Sequence, residues 1–250
     1  MKISIVTISF NQEKYLPACI DSILNQTGCE LEYIVVDPGS QDGSRAIIDS
    51  YGDRIVKVYE KDDGPADGLN RGFARATGEI YGFINSDDYL LPGALKEITQ
   101  IFQSGDDNMF VTGGGFTEDE NGARTRIYPN SLTTQGMLYR SDVMFQQSTF
   151  FPASLYKQVK GFNTANQTCW DYELFLRFLL LGARHQVTKH DLAVFRLYQG
   201  SISGSGRLEA KYLQELDKLF AECMGRNRNA KDILNTYYFR LKRKLGRLYN

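Results

Sequence analysis

The sequence predicts an α/β domain built on a mostly parallel, Rossmann-like central sheet flanked by helices, with a helical extension at its C-terminus. Two observations predict the sheet. Apolar runs near residues 2–9, 31–36, 55–59 and 80–84 alternate with helical patterns, the rhythm of βαβ units joined by right-handed crossovers. The fourth run, Ile80-Tyr81-Gly82-Phe83-Ile84, is apolar without alternation, as a strand covered on both faces must be, and it stops abruptly at Asn85-Ser86-Asp87-Asp88-Tyr89. Two carboxylates therefore stand at the carboxyl end of a central strand, the edge where open α/β sheets bind ligands.

The first strand, residues 2–9, leads to Asn11, expected to cap a helix whose Leu16, Ile20, Ile23 and Leu24 share one face. Strand 31–36 ends in the acidic turn Asp37-Pro38-Gly39-Ser40-Gln41-Asp42-Gly43-Ser44; a short helix through Ile47, Ile48 and Tyr51 and the strand 55–59 follow. Asp62-Asp63-Gly64-Pro65-Ala66-Asp67-Gly68-Leu69-Asn70-Arg71-Gly72 is a glycine- and acid-rich loop running into a helix, an arrangement that presents backbone N–H groups to phosphates. By this topology Asp37, Asp67 and the Asp87/Asp88 pair project from one edge of one sheet. At ~4 Å such a pair repels by roughly 1 kcal/mol in water and ~4 kcal/mol when half-buried, which a divalent cation would reverse. The pair reads as a metal site; the plain alternative is a solvated turn with Asp87 capping the helix signalled by Pro92-Gly93-Ala94-Leu95.

Beyond residue 105 the periodicity blurs. Residues 109–112 read as a strand and Gly113-Gly114-Gly115 as a bend, without the Gly-x-Gly-x-x-Gly of a dinucleotide site. Residues 131–147 read as an irregular, polar, substrate-facing loop, 149–152 as a short strand and 154–159 as a helix. In Cys169-Trp170-Asp171-Tyr172-Glu173-Leu174, Asp171 stands at the mouth of a strongly apolar helix, as a cap or as a base beside Trp170. A last strand at 192–197 and a flexible loop at 198–204 precede two closing helices.

The 250 residues suit one large domain with an appendage, and neither repeats nor low-complexity runs interrupt them. The chain enters a strand pattern directly, without the apolar core of a signal peptide, and no window approaches the ~20 apolar residues of a membrane span. Cys19, Cys29, Cys169 and Cys223 are scattered, which argues against a zinc site or a disulfide framework and for a reducing cytoplasm. The net charge of −1 hides an asymmetry: from Arg226 onward eight Lys or Arg face one acid, a surplus of seven that leaves the body at −8. In the last helix Leu234, Tyr237, Tyr238, Leu241, Leu245 and Leu248 form an apolar stripe with basic flanks, suited to an anionic membrane surface or to packing on its own domain or a twin subunit. The acidic body disfavours a nucleic-acid partner.

Several stretches, in this order and spacing over about residues 1–203, resemble family 2 glycosyltransferases, which have the GT-A fold: Ser4-Ile5-Val6-Thr7-Ile8-Ser9-Phe10-Asn11, Val35-Val36-Asp37-Pro38-Gly39-Ser40-Gln41-Asp42-Gly43-Ser44, Leu69-Asn70-Arg71-Gly72, Asn85-Ser86-Asp87-Asp88 and Trp170-Asp171-Tyr172-Glu173-Leu174. The resemblance implies a GT-A domain over residues 1–205, its donor half about 1–105 and acceptor half about 106–205, with 206–250 as a basic amphipathic tail. It implies a nucleotide-sugar donor, a UDP-sugar above all, a divalent cation (Mn2+ or Mg2+), and inverting hexosyl or N-acetylhexosaminyl transfer to a glycan or lipid-linked acceptor in bacterial surface polysaccharide synthesis. The enzyme would work in the cytoplasm or on the inner face of the membrane. By analogy Ser9, Phe10 and Asn70 line the donor site, Asp37 and Asp67 meet the base, Asp87 the ribose, Asp88 the metal, and Asp171 is the general base. Two departures stand out: Trp170 occupies the place of the first Glu before the acceptor helix, and Tyr198 that of a metal-binding His in Arg196-Leu197-Tyr198-Gln199-Gly200-Ser201. They motivate the alternative of a non-catalytic nucleotide-sugar-binding or scaffold protein. A sugar nucleotidyltransferase lacks support, because Ser9-Phe10-Asn11-Gln12 is no basic phosphate loop.

Overall fold

The computed structural model describes residues 1–104 and 107–246, so Arg247 and Leu248 of the tail lie outside the described residues. At its centre β1 (Lys2–Ile8) pairs in parallel with β2 (Glu30–Val36) on one side and β4 (Ile80–Asn85) on the other, and β2 pairs in parallel with β3 (Val56–Val58). The register sets Ile8 level with Val36 and with Asn85, so Ser9, Asp37 and Ser86-Asp87-Asp88 emerge side by side at one edge. Past β4 the sheet becomes mixed. The strand order is β3-β2-β1-β4-β8-β6-β9-β5, where β5 is Tyr89–Leu90, β6 Met109–Glu118, β8 Thr149–Pro152 and β9 Arg184–Arg196, while β7 (Arg124–Ile127) forms a hairpin with β6.

This order dictates the shape of the site. β5 lies four strands from β4 in the sheet yet only three residues from it in the chain. Four residue steps reach ~14 Å at most, whereas four strand spacings of a flat sheet cover ~19 Å. The sheet must curl, and its far edge returns over the carboxyl end of β4. Asp87 and Asp88 are thereby enclosed by β9 rather than left on an open turn, and Asp87 caps no helix.

Helices cover both faces. α1 (Leu16–Leu24), α2 (Ser44–Ser50) and α4 (Ala94–Ser104) bury Leu16, Ile20, Ile48, Leu95 and Ile98 against Ile3, Ile5 and Val35. On the other face α3 (Pro65–Phe73), α6 (Ala153–Gln158) and α7 (Trp170–Leu180) bury Leu69, Phe73, Leu155, Leu174 and Phe175 against Val6, Ile34 and Phe151. After the short α8 (Ile202–Ser205), which takes up the end of the expected 198–204 loop, α9 (Glu209–Met224) adds Leu216, Leu219 and Phe220 to that core, so the C-terminal extension is packed on the body. Each such side chain contributes about 1.5–3 kcal/mol on burial. Gly72 lets α3 lie close on the sheet, since a Cβ there would run into the Val6 side chain.

Three expectations are corrected. Asn11 does not cap α1; its amide oxygen accepts from the Gln41 N–H at 2.8 Å and its own N–H donates to Ser40, which ties the loop after β1 to the loop after β2. The glycine triplet is no bend but the middle of β6, bulged against β9, because a Cβ on Gly115 would strike the Ala193 carbonyl. The stretch 131–147 is no polar loop either: it holds α5 (Thr134–Leu138) and buries Leu132, Met137, Phe145, Gln146 and Gln147.

Candidate functional site

At the edge formed by β1 and β2, Phe10 is left 57% exposed, and the next residue, Asn11, donates its N–H to Ser40 in the turn after β2. Ser9 is buried, and its hydroxyl finds no partner among the described residues. An orphaned buried hydroxyl costs about 1–3 kcal/mol, which a polar ligand would return. Asp37 is fully buried and its carboxylate shapes its own turn, accepting from the Gly39 and Ser40 N–H groups at 3.0 and 2.8 Å, from the Ser40 hydroxyl at 2.6 Å and from Arg45 Nε at 3.1 Å. Arg45 in turn lies over the Tyr59 ring at 4.7 Å. Asp67 stands in the first turn of α3, where it accepts from Arg71 Nε at 2.9 Å and the Asp63 N–H at 3.1 Å. Partial burial raises its pKa, but those bonds outweigh it and hold the carboxyl below its usual range. Asn70 has its amide taken up by α6 and the turn after it: it accepts from Tyr156 and the Phe162 N–H and donates to the Phe162 carbonyl, a strut between α3 and that segment.

Asp88 is fully buried, with Oδ1 accepting from the Arg196 N–H at 2.9 Å and Oδ2 from Gln147 Nε2 at 3.0 Å. Burial first, and then the charge of Asp87, hold its carboxyl well above the usual carboxylate range. Asp87 accepts from the Tyr198 hydroxyl at 3.1 Å, and burial raises its pKa as well. Tyr198 also meets the Gln12 amide, at 3.3 Å, and tilts against Tyr15 at 4.8 Å, so the strand-end loops of β1, β4 and β9 converge on one carboxylate pair. Among the described residues no group of three or more His, Cys, Asp or Glu surrounds a metal-sized space. The donor set still fits Mg2+ or Mn2+, which is held by one or two carboxylates with the remaining positions filled by substrate phosphate and water. Two adjacent acids, both pushed toward the neutral form by burial, are what a divalent cation would compensate.

Asp171 stands in the first turn of α7, next to Trp170. Gln146 Nε2 donates to the Phe83 carbonyl at 2.8 Å, and the Phe83 ring lies 5.6 Å from that of Trp170, which also packs on Phe162 at 5.3 Å. The cap role is corrected: the N-cap is Cys169, with no side-chain bond, and Asp171 is the second residue of the helix. Its side chain keeps a little contact with water, and desolvation pushes its pKa up to about 6, against the bond it accepts from the Tyr172 N–H. A carboxylate titrating near 6 is a competent general base at neutral pH. Glu173 is not: it is buried, accepting from Asn163 at 3.0 Å and Asn166 at 2.8 Å.

Sequence reasoning passed over Gln147 and Arg196, the two residues that hold Asp88. Arg196 also donates to the Asp87 carbonyl at 2.9 Å and lies over Tyr89 at 4.4 Å. For Arg196 the available signal was its place at the head of Arg196-Leu197-Tyr198-Gln199-Gly200-Ser201; for Gln147 local pattern offered none.

Comparison with known proteins places this architecture. The model of the family described as "Glycosyl transferase family 2" matches residues 4–165. The chain is similar to glycosyltransferase GlyG of Streptococcus pneumoniae, 30% identical over 80% of this chain and 72% of that one. It is 37% identical to an uncharacterized glycosyltransferase of Nostoc over 42% of this chain and 34% of that protein. For a second such relative, from Rickettsia felis, the share is 32%, so the chain spans about a third of these relatives' length. Among solved structures it resembles S. aureus TarS 1–349 in complex with UDP-GlcNAc (TM-score 0.73, 18% identity, 96% of this chain and 70% of that one). It also resembles a mannosyltransferase from Pyrobaculum calidifontis in complex with GDP-Man and Mn2+ (TM-score 0.69, 16% identity, 95% and 69%). The curled sheet is thus that of the GT-A glycosyltransferases. The chain belongs to glycosyl transferase family 2.

Proposed function

We propose that this chain transfers a hexosyl or N-acetylhexosaminyl group from a UDP-sugar to a hydroxyl of a glycan or lipid-linked acceptor, with inversion, in the assembly of a bacterial surface polysaccharide. The observation that carries the reading is the buried Asp87–Asp88 pair at the carboxyl edge of β4; Asp171 in the first turn of α7, its pKa pushed up to about 6, is the base that would serve it. The exposed ring of Phe10 stacks on the base, the Ser9 hydroxyl and Asp67 offer it polar partners, and Asp37 fixes the turn around it. Asp87 takes the ribose. Asp88, with Asp87 beside it, would hold a divalent cation, which when bound shields the charge of the departing diphosphate. Asp171 removes the proton of the acceptor hydroxyl as that oxygen attacks the anomeric carbon opposite the leaving group, so one base and one displacement suffice. Trp170 screens that carboxylate from water. Both solved neighbours with a sugar nucleotide bound support the donor class, and their different bases leave the nucleotide to experiment.

The test is a thermal-shift screen of UDP and GDP with and without Mn2+, followed by transfer assays. At 100 times the dissociation constant a ligand adds about 2.7 kcal/mol, or roughly 5–10 °C in a chain of this size. Metal-dependent stabilisation by UDP with sugar release supports the proposal. Stabilisation without turnover points to the binding-protein alternative, and no stabilisation by either nucleotide defeats both.

A further inference from the structure

The outward face of α10 (Ala230–Gly246) is built from Ile233, Leu234, Tyr237, Tyr238, Leu241 and Leu245, all exposed; Leu234 and Tyr237 leave 67% and 65% of their surface in water. At ~100° per residue these six fall in one arc of the helix. The opposite face is docked. Asp232 is buried and accepts from Arg226 at 2.6 and 2.9 Å, Phe239 stacks on Tyr139 at 5.2 Å, Arg240 Nε donates to the Arg140 carbonyl at 3.2 Å, and Arg243 donates to the Ser141 carbonyl. In the preceding turn Arg228 donates to the Leu138 carbonyl at 2.8 Å and pairs with Asp217 at 2.8 Å. The arginines of the basic tail therefore clamp the helix to the body.

The lysines are left over. Lys231 and Lys242 are exposed along one rim of the apolar arc and Lys244 along the other, with no ion pair to any of them among the described residues. The one acid in α10, Asp232, faces inward. We propose that this face is a docking surface for an anionic lipid bilayer: α10 lies in the plane of the interface, its leucines and tyrosines among the acyl–headgroup boundary and its lysines against the phosphates. Charge selects the bilayer over a second copy of the chain. Self-pairing through the arc would set lysine rim against lysine rim, which costs affinity, whereas anionic headgroups complement both rims at once. No helix among the described residues is long and apolar enough to cross a membrane, so the attachment is peripheral. The surface stands independently of the transfer reaction, and where both hold it presents the cleft to acceptors carried on lipid.

The experiment is co-flotation of the full chain with vesicles of phosphatidylglycerol and phosphatidylcholine, or of phosphatidylcholine alone, at low and at high salt. Binding to the anionic vesicles is expected, weakened by salt and weaker still on neutral lipid. Combining Lys231→Glu, Lys242→Glu and Lys244→Glu should lower the partition coefficient by at least about 100-fold. Tyr237→Ser with Leu241→Ser should lower it by at least about tenfold. Both variants should keep the wild-type melting temperature and UDP binding, which separates failure of the surface from failure of the donor site. A full chain that ignores anionic vesicles at low salt overturns the proposal. So does a solution dimer that these same substitutions dissociate, or variants that float as well as wild type.

Discussion

Replacing Asp171 by Asn removes a charge while keeping the shape, and the structure predicts opposite effects on stability and on activity. The folded carboxyl has its pKa raised from 3.8 to about 6, chiefly by desolvation. A raised acid pKa means that folding favours the neutral form. The associated stability is fully present below the unfolded pKa near 3.9 and is lost as pH rises through 6. At 1.36 kcal/mol per pKa unit the ionised form costs at most about 3 kcal/mol at pH 8. The side chain's residual contact with water and the positive end of α7, worth about 0.3–1 kcal/mol to a carboxylate, reduce this to about 2 kcal/mol. Asp171→Asn should therefore raise the melting temperature at pH 8 by roughly 4–8 °C, with the gain vanishing below pH 4. Transfer to the true acceptor should fall by about 10²- to 10⁴-fold with nucleotide affinity unchanged. The wild-type transfer rate should climb with pH to a plateau above pH ~6, and the variant's should not. Melting curves across pH and acceptor-dependent product formation check both halves. A variant that transfers at near wild-type rate, or that is less stable at pH 8, refutes the reasoning.

Asp88→Asn should abolish the gain in UDP affinity that Mn2+ provides while leaving the protein folded, since an amide oxygen can still accept from Arg196 or Gln147; equal affinity in chelator and in Mn2+ for wild type and variant alike would reject the metal role. Phe10→Ala should weaken UDP binding roughly 5- to 100-fold, the worth of one base-stacking contact, and leave stability within about 0.5 kcal/mol, measured by titration and melting. His185 is buried with Nδ1 accepting from the Leu132 N–H at 2.7 Å, and desolvation lowers its pKa from 6.5 to about 4. A depressed histidine withholds stability as pH falls, so folding should lose about 3 kcal/mol between pH 6.5 and 4, and denaturant titrations should show that this slope is absent in His185→Asn.

The parallel half of the fold was legible because its information is local: apolar runs of strand length, separated by helical periods, leave one topology and one ligand edge. The carboxylates announced that edge for the same reason, standing where apolar strands stop. What local pattern does not carry is the partner of a polar side chain. Asn70 looks equivalent to its acidic neighbours in the sequence, yet a turn 92 positions away takes up its amide. Asn11 and Asp171 both have the chemistry of a cap, yet Asn11 is tied to the turn after β2, and Asp171 is the second residue of its helix, bonded to the N–H of Tyr172. The Gly113–Gly115 run reads as a bend by composition; against β9 the same absence of Cβ is what allows two backbones to approach. Two-residue β5 is invisible to any periodicity, although its placement decides that the sheet curls.

The stretch 131–147, read as a loose substrate loop, links the two ends of this mechanism. At one end Gln146 and Gln147 donate to the Phe83 carbonyl and to Asp88. At the other, the carbonyls of Leu138, Arg140 and Ser141 receive Arg228, Arg240 and Arg243 from the tail. Between them Asp142 accepts from the Thr133 N–H at 2.8 Å and from Asn130 at 2.9 Å, and Thr133 caps α5 through the Gly136 N–H at 2.8 Å, so the stretch is braced along its length. Cutting the chain after residue 225 would strip three carbonyls of their arginine partners and uncover Tyr139, which stacks on Phe239. Truncation therefore perturbs the support of Asp88 along with any surface the tail carries. Only substitutions on the outward arc of α10, which touch none of these bonds, separate attachment from catalysis.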